Sequence, residues 1–154
     1  MLAAKTIKKE VGVLFIEPKR IEEYWPLAEF MVKEGLQYDG NPMSVSEMKK
    51  RIKRGEYQLF LIVGSDDGDK YKVFGVFVTT VSTLPNFKQV EVLLLKGEKR
   101  ELWQKEAAET IENLAIQNNC KRIAVLARPG WKNFLEPWGW KVKRLLYQKE
   151  ITEH

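Results

Sequence analysis

The chain predicts an α/β fold, a mixed and largely antiparallel central sheet flanked by about four helices. Three observations predict it. Short β-branched or apolar runs alternate with longer stretches whose apolar residues recur at helical spacing. Two central runs are joined by Ser65–Asp69 (SDDGD), a hairpin turn. The later runs are separated by helical stretches, which parallel neighbours in a sheet require. With 154 residues the chain fits a single domain, 1–154, with a core over about 11–151.

The elements follow in order. Val11–Glu17 (VGVLFIE) is β-branched and closed by Pro18, a first strand. Ile21, Tyr24, Trp25, Ala28, Met31 and Val32 then recur at helical spacing. Pro26 lacks an N–H to donate, so the regular helix is expected to start near Trp25 or to kink there. Gly35 and Asp39-Gly40-Asn41-Pro42 end it. Ser44–Glu47 (SVSE) reads as a capping box for a second, short helix with Val45, Met48 and Ile52 on its apolar stripe and Gly55 as its stop. Gln58–Val63 is nearly continuous in apolar residues, a strand buried on both faces. Tyr71–Thr83 returns from the hairpin, and Gln89–Leu95 forms another strand after Leu84-Pro85-Asn86. A long helix spans about Arg100–Gln117, and Lys121–Ala127 is the next strand. Trp131–Trp138 reads as a short helix and Lys141–Ile151 as a last strand. The order is β-α-α-β-β-β-α-β-α-β.

Composition narrows the function. No apolar run approaches the roughly 20 residues that cross a membrane. Met1–Lys9 is Lys-rich with no apolar stretch behind it, so a secretory signal is not expected. The single cysteine, Cys120, has no partner for a disulfide and no His near it to activate it, so it reads as a buried structural thiol, and the cytoplasm as the expected compartment. No Cys/His cluster is present to hold zinc. Lysine plus arginine outnumber the acids by 26 to 21. That excess suits a polyanion but is small, and a solvated basic surface is the simpler reading than a nucleic-acid patch. No Walker loop or dinucleotide fingerprint occurs. His154, the one histidine, is terminal and cannot complete a catalytic triad. Trp131, Phe134 and Trp138 stand at helical spacing, which favours core packing over stacking on a ligand.

Three segments carry a family resemblance. They are Tyr24-Trp25-Pro26-Leu27 with Ser44–Leu59, then Val92–Trp103 (VLLLKGEKRELW), then Cys120–Trp140 (CKRIAVLARPGWKNFLEPWGW). Together with the element order, they resemble the GNAT-type N-acetyltransferase superfamily, in the divergent form carried by tailed bacteriophages. Gly139-Trp140 before the last strand is the most specific feature.

The resemblance implies a fold, a cofactor and a site. In that family the strand before the long helix splays from its neighbour, and the pantetheine arm of acetyl-CoA lies in the gap. The pyrophosphate rests on backbone N–H groups at the helix start, where the dipole favours an anion. Carried over here, the splayed strand is Glu91–Leu95 and its neighbour Ile123–Ala127. The cofactor contacts are Leu93, Leu94, Leu95, Lys96, Gly97, Glu98, Lys99, Arg100, Glu101 and Leu102, with Arg128 and Asn133. Glu91 is the candidate base, with an outward-facing surface charge as its other reading. Tyr147 is the candidate acid, with Tyr71 and Tyr57 as alternatives if the fold brings them close, because the family's helix-borne tyrosine is replaced by Leu135. The family's phosphate loop has two small residues, whereas Gly97 is the only glycine here; Lys96, Lys99 and Arg100 can compensate by charge. The implied function is acetyl-CoA-dependent transfer to a small-molecule or protein amine. The alternative is a catalytically silent protein of the same fold, with a virion or host protein as its partner.

Overall fold

The computed structural model describes residues 10–38, 43–65, 67–127 and 129–151. Met1–Lys9, the Asp39–Pro42 loop, Asp66 of the hairpin turn, Arg128 and His154 lie outside the described residues.

Five strands form one sheet in chain order. They are β1 (Glu10–Ile16), β2 (Gln58–Ser65), β3 (Lys72–Thr83), β4 (Lys88–Gly97) and β5 (Arg122–Val125). The first four pair antiparallel; β5 lies parallel to β4. Helices α1 (Ile21–Tyr38) and α2 (Val45–Lys53) cover one face, and α3 (Gln104–Gln117) covers the other. The expected mixed, mostly antiparallel sheet is therefore present.

Each face has its own core. Strand β2 sends Leu59 and Leu61 to the α1–α2 face and Phe60 and Ile62 to the α3 face. That is why its sequence is apolar without alternation. Helix α1 buries Ile21, Trp25, Ala28, Val32 and Leu36, a continuous stripe at spacings of three and four. Ile21, Val32 and Leu36 each contribute roughly 1.5–3 kcal/mol. This stripe moves the start of the helix to Ile21, ahead of Pro26, which sits on the exposed face, where a lost backbone bond costs less than in the core. The helix also runs through Gly35 instead of stopping there, because Leu94 packs where a Cβ would stand, 2.9 Å from its position. At α2 the Ser44 hydroxyl accepts from the Glu47 N–H as the capping box requires, but Glu47 turns its carboxylate to Arg51.

Two expectations need correction. The fourth helix shrinks to α4 (Lys132–Leu135), four residues between two 3-10 turns, leaving three longer helices. Pro129 and Pro137 bracket it and prevent a longer ladder of bonds. Lys141–Ile151 makes no strand pairing, and Val142, Leu145, Leu146, Tyr147 and Ile151 are all exposed. Four basic residues break its alternation, so no single apolar face exists to hold it on the sheet. No described helix is long and apolar enough to cross a membrane.

Candidate active site: a gap between parallel strands

Strand β4 has two halves. From Gln89 to Val92 it pairs with β5, residue against residue from Arg122 to Val125. There the pairing ends. Leu93–Gly97 keeps only β3 beside it, while Leu126 and Ala127 leave the sheet. The parting coincides with a bulge: Val78 faces Leu94 and Thr79 faces Val92, so Leu93 is the extra residue. A bulge bends a strand and sharpens its twist, and here it aims the second half of β4 away from β5.

The gap is a slot of about 90 Å³ lined from both sides of the sheet. Gly35 and Leu94 bound it on the α1 side; Trp103, Ala107 and Ile111 bound it on the α3 side. The edge of Leu93–Lys96 turned to the slot carries the backbone groups that β5 would have used.

The turn from β4 into α3 is built around Trp103, which is 1% exposed. Its indole N–H donates to the Glu98 carbonyl at 2.7 Å. The Glu98 N–H donates to the Phe74 carbonyl, the Leu102 N–H to Lys99 and the Trp103 N–H to Arg100. Lys99 takes the left-handed conformation, φ 53°, to close the turn. Gly97 is required by packing: a Cβ there would lie 2.8 Å from the Phe74 carbonyl oxygen and 3.0 Å from the Trp103 ring. Helix α3 then starts at Gln104 with no side-chain cap. The first bond into the helix is from the Ala107 N–H to the Trp103 carbonyl, and Gln104, ahead of it, lines the slot. An anion at the slot mouth meets the first-turn amides and the positive end of the helix.

The residues expected from sequence fall into three groups. Leu93, Leu94, Leu95 and Lys96 line the slot. Gly97, Glu98, Lys99, Arg100, Glu101 and Leu102 form the turn below its mouth, where the amides of Glu98 and Leu102 are already committed. Glu91 lies one pair before the parting, opposite Ala124, and accepts from the Gln89 side chain at 2.8 Å. Gln89 in turn accepts from Arg122 at 2.7 Å. Asn133 is exposed on α4, and Tyr147 is 86% exposed on the C-terminal segment; neither lines the slot.

Tryptophans are what the sequence reading missed. Trp103, Trp131, Trp138 and Trp140, four of the five in the chain, line the slot with Leu135. Helical spacing suggested a packed core for Trp131 and Trp138, yet Trp131 is only half-buried, beneath the Arg100 guanidinium at 5.5 Å. Trp138 is 40% exposed. The available signal was local, an aromatic-rich segment directly after the strand edge where α/β ligands bind.

No protein-family model and no curated protein sequence matches the chain. Solved structures do. A probable acetyltransferase superposes with TM-score 0.66 over 92% of this chain and 99% of its own, at 13% identity. An aminoglycoside acetyltransferase from an uncultured soil metagenomic sample, in complex with sisomicin, gives 0.64 over 94% and 97%, at 8% identity. A GNAT family acetyltransferase of Staphylococcus aureus gives 0.58 over 92% and 98%, at 15% identity. The chain has the fold of the GNAT acetyltransferases.

Proposed function

We propose that the chain is an N-acyltransferase drawing its acyl group from a CoA thioester, acetyl-CoA being the donor the fold likeness brings forward. One observation carries the reading: β4 parts from β5 at Val92/Val125, beside the uncapped start of α3. A pantetheine arm laid along Leu93–Lys96 pairs with the backbone edge that β5 leaves. Its pyrophosphate meets the first-turn amides of α3, with Lys96, Lys99 and Arg100 supplying charge. Gly97 does not serve the phosphates in this reading, because Trp103 and Gly75 occupy the space around it.

The reaction is direct. The amine nitrogen attacks the thioester carbonyl carbon, forming the C–N bond. Collapse of the adduct breaks the C–S bond, the nitrogen loses a proton and the departing thiolate gains one. Glu91 lies just before the parting and receives the amine's proton through water. Positioning supplies much of the rate, since the donor is held along one fixed strand. The acceptor is a small-molecule amine or a protein amine, and the cytoplasm, where CoA thioesters are made, is the compartment.

A second reading has its own support. Apart from Lys96, no acidic, basic, histidine or tyrosine side chain lines the slot among the described residues. A silent protein of this fold, working through a virion or host partner, needs none. Calorimetry of the purified chain with CoA and acetyl-CoA separates the two readings. Binding, followed by amine-dependent release of free thiol, supports the transferase. No heat and no thermal shift at millimolar ligand rejects it.

A further inference from the structure

We infer that the donor's acyl group is longer than acetyl, an aliphatic chain of about four to eight carbons. The inference rests on the transferase reading and deepens it. Its warrant is the chemistry of the slot wall. Only two polar side chains, Lys96 and Gln104, line the slot among the described residues. The rest is aliphatic or indole, and the Trp103 N–H is already spent on the Glu98 carbonyl. A pantetheine arm takes its polar contacts from the backbone of β4 and leaves these side chains without a matching surface. An acetyl group adds one methyl.

The apolar wall also continues past the slot. Trp138 is 40% exposed and Leu126 is 75% exposed, both at its rim. Contiguous exposed apolar surface at the mouth of a ligand cleft marks the path of an apolar ligand. At the inner end Gly35 presents bare helix backbone beside Leu94, and a Cβ there would approach the Leu94 side chain to 2.9 Å. Leu94 fills the space beside Gly35, so the slot ends there. An alkyl chain matches this apolar wall, running from the Leu94 side toward the rim at Trp138.

Titration calorimetry of the intact chain with CoA, acetyl-CoA, butyryl-CoA, hexanoyl-CoA and octanoyl-CoA tests this. Each methylene buried is worth about 0.8 kcal/mol, or about fourfold in affinity. Hexanoyl-CoA is expected to bind at least tenfold more tightly than acetyl-CoA. Trp138→Ala, at a partly exposed site, is expected to bring the ratio of hexanoyl-CoA to acetyl-CoA affinity close to one, whatever it does to the affinity for CoA itself. Equal or weaker binding of the longer donors, with CoA still bound, overturns the inference and leaves the transferase standing. A chain-length gain that survives Trp138→Ala also overturns it. Failure of every CoA compound to bind overturns the transferase reading itself, and the inference with it.

Discussion

The two halves of β4 both carry large aliphatic residues and have different fates. Gln89–Val92 lies between β3 and β5, saturated on both edges, and its Val90 and Val92 serve the core under α3. Leu93–Gly97 is no less apolar, yet one edge is left open and its side chains line a slot. Composition does not separate them. One extra residue, Leu93, and the early end of β5 at Val125 do. The lesson is that a site in this fold is made by withholding a strand from a partner, and the surroundings must then hold the open half in place.

Trp103 does most of that holding, so its removal should have the largest effect. Trp103→Ala opens a cavity under Gly97 and releases the Glu98 carbonyl, and is expected to cost about 3–5 kcal/mol in urea unfolding. Ligand binding should fall along with stability, because the turn and the start of α3 are fixed by the same indole. The control lies in the paired half. Val90→Ala, at a fully buried position, should cost roughly 1.5–3 kcal/mol. It should leave affinity for CoA compounds unchanged, since β5 holds that half regardless. Equal losses of affinity in the two variants would erase the distinction between the halves.

Gly97→Ala probes the junction between open strand and turn. The added methyl meets the Phe74 carbonyl oxygen and the Trp103 ring at once, and overpacking of this kind costs about 1–3 kcal/mol. The expected outcome by thermal unfolding is a loss of stability in the absence of any ligand. A variant as stable as the parent that has lost only CoA binding would return Gly97 to the phosphate role that the family likeness gave it.

Much of this was legible beforehand, for physical reasons. The strands β2 to β4 announce themselves because their apolar runs are set by burial on two faces, and Ser44 because a cap is a local device. The parting of β4 from β5 is different. Leu93-Leu94-Leu95 reads the same whether or not a bulge falls in it, and the bulge is fixed by what stands opposite on β3. The role of Gly97 was hidden likewise, since Gly75 and Trp103 approach it only in three dimensions. Lys141–Ile151 misled because strand propensity says nothing of whether an edge accepts the strand.

The smallest effect belongs to a turn far from the slot, the β2–β3 hairpin, and it marks the limit of the comparison. Asp67 accepts from the Asp69 N–H at 2.8 Å, from the Lys70 N–H at 3.1 Å and from the Ser65 hydroxyl at 2.9 Å. These bonds, the Asp69 amide foremost, favour the charged carboxylate and lower its pKa from 3.8 to about 2. A group depressed on folding stabilises above its unfolded value and loses that contribution as pH falls through its folded one. The gap in thermal midpoint between the parent and Asp67→Ala should therefore be constant near neutrality. It should begin to close as pH drops below 3.8 and shrink further toward about 2. A gap that stays open there would assign the loss to the turn's backbone instead of its carboxylate. Affinity for CoA compounds at neutral pH should not change, because Asp67 does not line the slot and its carboxylate bonds only within the hairpin.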